Sequence, residues 1–181
     1  FGGESWVRGL LDPKRVGGAA YFGNTAHNEG DMVSFVCEDF TDEDEWKRED
    51  KEAVVFALVA EAGLLQETGK KKVIKRGHEL IADTDRCGSC HPYRSNETEL
   101  GYAPDLNGWG SEEWLVGIVT DPTHQRFYPD TNDRMPRFGV APDGGLQALS
   151  DKQIKLVSQW LRGSWYRPAA HTRGDGVTDH P

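Results

Sequence analysis

Two cysteines and a histidine, all able to bind a cofactor or a metal, occur together in the pentapeptide Cys87-Gly88-Ser89-Cys90-His91. This is the C-x-x-C-H pattern, which attaches c-type haem: the two thiols add to the vinyl groups as thioethers, and the adjacent imidazole ligates the iron. A thioredoxin-like redox pair would follow a strand, whereas the residues before Cys87 predict a helix. A zinc site would need a second Cys/His pair at ligand spacing, which Cys37 and the scattered histidines do not supply. The motif therefore predicts one covalently bound haem c with His91 as an axial ligand.

The other axial position separates electron carriers from enzymes, because an enzyme needs an open or displaceable site on the iron. Met135, one of two methionines, stands 44 residues after His91. Pro136 favours an extended backbone at Met135, which suits a loop that carries a thioether across the haem. A methionine that fills a gap in an apolar core is the alternative, but its flanking residues are hydrophilic. We expect Met135 as the sixth ligand, with His124 as its substitute.

The order of these motifs resembles the class I cytochrome c family over about residues 70–166. In that family a helix leads into C-x-x-C-H, and a loop with a proline, a short helix, a methionine loop and a C-terminal helix follow. Here apolar residues at helical spacing predict the first helix over 72–83. Ser150 as N-cap and Gly163 as stop predict the last helix over 151–162. The resemblance implies an all-α fold in which these two helices cross, with Gly77 letting Trp160 approach.

Further contacts to the haem are expected from residues between the two axial ligands. The stretch around Pro104 is similar to the family's loop whose proline carbonyl accepts the Nδ1 proton of the axial histidine, which would fix the tautomer of His91. An ordinary Pro-Asp turn is the alternative. Polar and aromatic residues further along are expected to line the haem or to bond its propionates, with core packing as the alternative for the tryptophans: Trp109, Trp114, Arg126 and Tyr128.

An internal repeat connects the first third of the chain to this domain. Residues 1–13 match 109–122 with a one-residue gap, 21–25 match 127–131, and Met32 falls where Met135 falls. A helix predicted over 52–62 corresponds to the one that begins at Asp151. Three regions follow: residues 1–66 resemble the back half of a cytochrome c domain without C-x-x-C-H, 67–166 form the complete haem domain, and 167–181 form an extended tail.

Three explanations of the partial repeat stay open. Its haem-binding segment lies upstream in a longer tandem cytochrome, or another chain supplies that segment, or the copy has lost its haem and serves in packing. In the first two cases Met32 is a candidate ligand of a second haem. Cys37 cannot anchor a haem alone, because it is single and no histidine follows it. We expect Cys37 to be a small buried residue, with an exposed thiol as the alternative.

Composition limits the partners. The chain has 21 Lys+Arg against 30 Asp+Glu, a formal net charge of −9, without a basic patch, which disfavours nucleic acid and anionic lipid as main partners. Acidic residues concentrate from Glu38 to Glu52; they form either a solvated face or a landing site for redox proteins with basic surfaces. The apolar stretch Ala53–Ala62 is shorter than the roughly 20 residues that cross a bilayer. We therefore expect membrane contact only through a partner or an anchor outside this sequence, and we expect any targeting segment to have been removed or left out.

Together these predictions describe an all-α c-type cytochrome that carries single electrons and is not itself an enzyme. By resemblance, tandem cytochromes of this kind are subunits of respiratory complexes such as cytochrome bc-type quinol oxidoreductases, or carriers between those complexes and terminal oxidases. Haem c is attached outside the cytoplasm, which implies a periplasmic or equivalent compartment. The alternative is an enzyme similar to two-haem cytochrome c peroxidases, which would need an open or displaceable ligand on one haem.

Overall fold

The computed structural model describes residues 1–65, 69–94, 96–139 and 148–164. Within these ranges the regular structure is helical and contains no strand, which confirms the all-α prediction. No described helix has the length and apolar character needed to cross a membrane. The tail predicted over 167–181 and the domain boundary at 66–67 lie outside the described residues. The α-helices are α1 (Glu4–Leu10), α2 (Asp31–Cys37), α3 (Arg48–Glu61), α4 (Lys71–Ala82), α5 (Glu112–Thr120) and α6 (Asp151–Leu161).

Local signals place the helix ends. α6 begins where predicted because the Ser150 N–H donates to Oε1 of Gln153 at 2.8 Å, half of a capping box. Gly163, at φ +69°, follows its C-terminal end. α4 begins and ends one residue earlier than predicted. α3 begins four residues before the predicted start, because acidic residues in its first turn favour the helix N-terminus there.

α3 is the central helix of the described fold. α1 and α4 both pack against it, whereas α5 and α6 pack against each other. A helix that buries residues on several sides is a core helix rather than a surface one. Aromatic rings join the two groups of helices, with Phe1 4.5 Å from Trp6 and 5.0 Å from Trp109 between ring centroids. The buried residues of α3 are Ala53, Val54, Val55, Ala57, Leu58 and Val59.

The structure corrects the predicted helix crossing. Gly77 does not face Trp160; a Cβ at position 77 would lie 2.7 Å from the Cβ of Ala57 and closer still to the carbonyl oxygen of Ala53. The side chain of Trp160 is 63% exposed. Ala53 and Ala57 are one helical turn apart on α3, and their small side chains let the backbone of α4 approach closely. The haem-motif helix α4 is therefore paired with α3.

Candidate haem site

The C-x-x-C-H motif forms a tight turn directly after α4. Cys87–Ser89 form a single turn of 3₁₀-helix, and the carbonyl oxygen of Cys87 accepts the N–H of His91 at 2.9 Å. Both thiols are free and half-buried. Burial raises the pKa of the Cys87 thiol to about 12, whereas nucleophilic redox cysteines have a lowered pKa. The helix before the motif and this raised pKa both disfavour a thioredoxin-like pair.

The imidazole of His91 is held by a hydrogen bond to Pro104. Nδ1 of His91 lies 2.8 Å from the Pro104 carbonyl oxygen, so the hydrogen bond implied by the resemblance is present. A carbonyl only accepts, so Nδ1 carries the proton and Nε2 keeps its lone pair. Burial also lowers the pKa of His91, which favours the neutral ring. A neutral imidazole with a free Nε2 is the form that ligates a metal.

Further hydrogen bonds align the segment after His91 with the loop that contains Pro104. The Leu106 N–H donates to the Pro92 carbonyl at 3.0 Å. Asn96 braces the turn, because its amide donates to the His91 carbonyl at 2.9 Å. The imidazole is thus fixed through its backbone as well as through its ring.

Arg126 and the tryptophans support the Pro104 loop in this structure. Nε of Arg126 donates to Oδ2 of Asp105 at 2.7 Å, and the indole N–H of Trp114 donates to the Asp105 carbonyl at 2.9 Å. Trp109 is buried in the aromatic cluster with Phe1 and Trp6. The core-packing alternative applies to both tryptophans.

Tyr128 and His124 lie on the segment that follows α5. The ring of Tyr128 stacks on His27 with centroids 5.7 Å apart, and burial raises its pKa to about 12. The side chain of His124 is exposed, and its Nδ1 accepts the Arg126 N–H at 3.2 Å. That hydrogen bond occupies one ring nitrogen of the expected substitute ligand.

Each methionine has a sequence neighbour that forms a hydrogen bond between the first third of the chain and the rest. Met135 is half-buried in a loop, where its carbonyl accepts the Asn132 side-chain amide at 3.0 Å. Its neighbour Arg134 donates to the carbonyl of Asn24. Met32 is half-buried in the first turn of α2.

The residue before Met32, Asp31, accepts a hydrogen bond from the Tyr102 hydroxyl. Tyr102 lies two residues before Pro104, so this bond brings the Met32 segment next to the loop that holds His91. The Met32 segment therefore approaches the Pro104 loop, which also bonds His91.

Two structural features around the C-x-x-C-H turn and in α2 could not be predicted from the sequence. Glu61, which interrupts the apolar run of α3, has a side chain that is 15% exposed, and it accepts a 2.6 Å hydrogen bond from the Tyr93 hydroxyl. A lone acid at the end of an apolar helix is the only sequence signal for it. The expectation that Cys37 is buried is wrong: its thiol is exposed at the end of α2, 3.7 Å from the Pro13 carbonyl.

The residues present fit a c-type haem. The donor set comprises two unbridged thiols and a neutral, oriented imidazole on one turn. Beside the first thiol, Arg86 stacks over Trp46 at 4.4 Å from the ring centroid. Its Nη1 is buried and has no hydrogen-bond partner among the described residues. A buried donor without a partner is costly in a finished protein interior, and it lies next to the predicted attachment point.

Comparison with models of known protein families, with curated protein sequences and with solved structures finds no match to this chain.

The stability of the fold is expected to fall as pH drops below about 6.5, the ordinary pKa of histidine. Burial and the nearby Arg94 lower the pKa of His78. Nδ1 of His78 lies 2.5 Å from the Tyr93 hydroxyl oxygen. The unfolded chain then binds a proton more readily than the folded chain in the window below 6.5, so acid favours unfolding. Chemical denaturation at pH 7.5 and 5.5 measures the effect, and H78Q is expected to reduce the pH dependence. Equal pH dependence in H78Q and the unmodified protein would contradict this prediction.

Proposed function

We propose that this protein is a single-electron carrier with one covalently bound haem c. Cys87 and Cys90 would form the thioethers that hold it, and His91 and Met135 would bind its iron. The observation that carries the proposal is the 2.8 Å hydrogen bond from His91 to the Pro104 carbonyl within a C-x-x-C-H turn. That bond leaves Nε2 free for iron and is what a haem-ligating histidine requires.

The bound haem would supply an iron that changes between the ferrous and ferric states. The chain's own residues hold this group and change no substrate bond. The Pro104 carbonyl accepts the hydrogen bond from Nδ1 of His91 and so makes the imidazole a stronger donor. A thioether from Met135 favours the ferrous state. A haem liganded on both faces has no open site for peroxide or oxygen, which favours a carrier over an enzyme.

We also propose that residues 1–66 are a partial repeat of a class I cytochrome c fold. Equivalent contacts in the two copies support this. A Cβ at Gly9 would lie 2.7 Å from Cζ of Tyr21, and one at Gly117 would lie 2.9 Å from Cζ of Phe127. In the sequence alignment of the repeat, Gly9 pairs with Gly117 and Tyr21 pairs with Phe127.

The turns after the two equivalent helices, α1 and α5, also agree. Oδ1 of Asp12 accepts the Lys14 N–H at 2.9 Å, and Oδ1 of Asp121 accepts the Thr123 N–H at 3.0 Å. Each aspartate precedes a proline and forms the same local turn. A repeated sequence thus coincides with a repeated local geometry.

The proposed partners are redox proteins with basic surfaces, in a periplasmic or equivalent compartment. The acidic segment before α3 is exposed, except for Phe40 and Trp46, which are buried. Because Arg86 covers Trp46, this segment is anchored one residue from Cys87. Negative charge there would attract a basic protein toward the haem attachment turn. A cytochrome bc-type quinol oxidoreductase or a terminal oxidase is the proposed complex.

Optical spectroscopy of the purified chain in both redox states tests the proposal. We expect one haem per chain by pyridine haemochrome assay and, in the ferric protein, the near-infrared charge-transfer band of a thioether ligand. M135A is expected to abolish that band, because alanine offers no donor atom. M32A is the matched control, since Met32 is the only other methionine, and it is expected to retain the band.

Other outcomes would change the assigned ligand or the proposed function. A band that persists in M135A and vanishes in M32A would transfer the sixth ligand to the partial repeat. A high-spin ferric spectrum without the band in the unmodified protein, together with peroxide turnover, would replace the carrier with the peroxidase-like enzyme. Absence of covalent haem would overturn the proposal as a whole.

A further inference from the structure

The carboxylate of Glu61 joins the first third of the chain to both segments that hold His91. Glu61 is the last residue of α3. Its Oε1 accepts the Tyr93 hydroxyl at 2.6 Å and the Nη2 donor of Arg94 at 3.2 Å. Its Oε2 accepts the Gly108 N–H at 2.8 Å. Both carboxylate oxygens are therefore used, and their partners come from two different segments.

These partners flank the hydrogen bond between His91 and Pro104. Tyr93 and Arg94 follow His91 by two and three residues, and Gly108 follows Pro104 by four. By bonding both segments, this one carboxylate contributes to the distance between them, together with the direct bonds from Leu106 to Pro92 and from Arg94 to Asn107. Nδ1 of His91 and the carbonyl oxygen of Pro104 belong to these same two segments. The distance between the segments therefore affects the hydrogen bond between these two atoms.

Both flanks include a residue with positive φ, and the one at Arg94 needs support from its surroundings. Arg94 has φ +52°, and Gly108 has φ +63°. The left-handed region is unfavourable for a residue with a side chain, so contacts must hold Arg94 in place. Its N–H donates to Oδ1 of Asn107 at 2.9 Å, and its guanidinium donates to Glu61. The carboxylate thus stabilises the turn that follows the axial histidine.

The Glu61 network also reaches α4. Nδ1 of His78 lies 2.5 Å from the Tyr93 hydroxyl and 3.6 Å from Oε1 of Glu61. Tyr93 is buried, and hydrogen bonds are stronger in such a low-dielectric region than in water. The network therefore connects α3, the motif helix α4 and the two segments around His91.

We propose that Glu61 is a positioning residue for the axial ligand His91, acting through Tyr93, Arg94 and Gly108. The inference rests on the proposed function, because it assigns His91 to the iron. It gives the partial repeat a role beyond packing, since α3 then supplies a group that orients the imidazole. The negative charge of Glu61 in this network also favours the more positive ferric state of a haem held by His91, so Glu61 is expected to lower the reduction potential.

The full chain with E61Q, E61A and E49Q tests this role. Glu49 is an exposed residue in the first turn of the same helix, so E49Q removes an equal charge at a remote point. We expect the reduction potential of E61Q to rise above that of both E49Q and the unmodified protein. E61A, which also loses the hydrogen bonds, is expected to gain high-spin ferric signal.

A second readout does not depend on haem. In the purified full chain, in the reduced state where haem is attached, NMR detects the Nδ1 proton of His91, which is sheltered by its bond to Pro104 whether or not haem is present. E61A is expected to broaden or lose this signal, and E49Q is expected to retain it. E61Q, which preserves side-chain shape and one acceptor, provides the test if E61A does not fold.

The outcomes separate the two proposals. If the unmodified protein carries no haem, the proposed function fails, whereas the NMR signal still decides whether Glu61 orients His91. If haem is attached but E61Q has the potential of E49Q, and the Nδ1 signal in E61A is unchanged, the positioning role is overturned and the proposed function stands.

Discussion

Replacing Cys87 and Cys90 together with alanine is expected to abolish covalent haem attachment completely. Each thiol can form one thioether, and removing both leaves no attachment point. Cys87 begins the 3₁₀ turn after α4, Cys90 directly follows that turn, and their sulfur atoms are unbridged. Each single variant removes one thioether. We expect haem to remain covalently bound in C87A and C90A, with an altered haemochrome spectrum. Acid–acetone extraction followed by mass spectrometry measures the haem that stays with the chain.

The third cysteine is the matched control. The thiol of Cys37 is exposed and distant in sequence from the motif, so C37A is expected to retain the full haem content. Circular dichroism should show helices in the double variant, because removal of two half-buried thiols does not disrupt the α3–α4 pair. Haem that remains attached in the double variant would exclude thioethers at these positions. Loss of haem in C37A alone would instead place an attachment point in the partial repeat.

Local signals in the sequence predicted the parts of the fold that are determined within a few residues. The start of α6 depends on Ser150 and Gln153, which are three residues apart, so the capping pattern was sufficient. The hydrogen bond between His91 and Pro104 was predicted by resemblance, because the motif and the proline loop occur in the family's order. In both cases the information lies within a short stretch or a fixed order of motifs.

The features that could not be predicted depend on contacts between distant segments. The pairing of α4 with α3 follows from the fit of Gly77 against Ala53 and Ala57, and helical periodicity does not reveal which partner a helix face meets. The position of Glu61 has the same origin, since a single acid in an apolar run gives no indication of the loops it will bond. Cys37 was misplaced because the hydrophobic character of a thiol does not indicate which side of α2 faces solvent.

The α3–α4 crossing implies that Gly77 tolerates no side chain. In G77A, the new Cβ would lie 2.7 Å from the Cβ of Ala57 and closer to the Ala53 backbone. Overpacking of this kind costs about 3 kcal/mol, whereas alanine in place of glycine inside a helix gains about 1 kcal/mol. We expect G77A to lower the free energy of unfolding by about 2 kcal/mol, measured by urea denaturation.

Double variants determine which helix Gly77 faces. In the α3–α4 pairing, A57G removes one of the two clashes and is expected to recover part of the stability lost in G77A. W160A is expected to be additive with G77A, because residues without a shared contact do not couple, and Trp160 is largely exposed. The alternative crossing, in which α4 meets α6, predicts the reverse: coupling with W160A and additivity with A57G. Which of the two coupling energies differs from zero therefore decides whether α4 pairs with α3 or with α6.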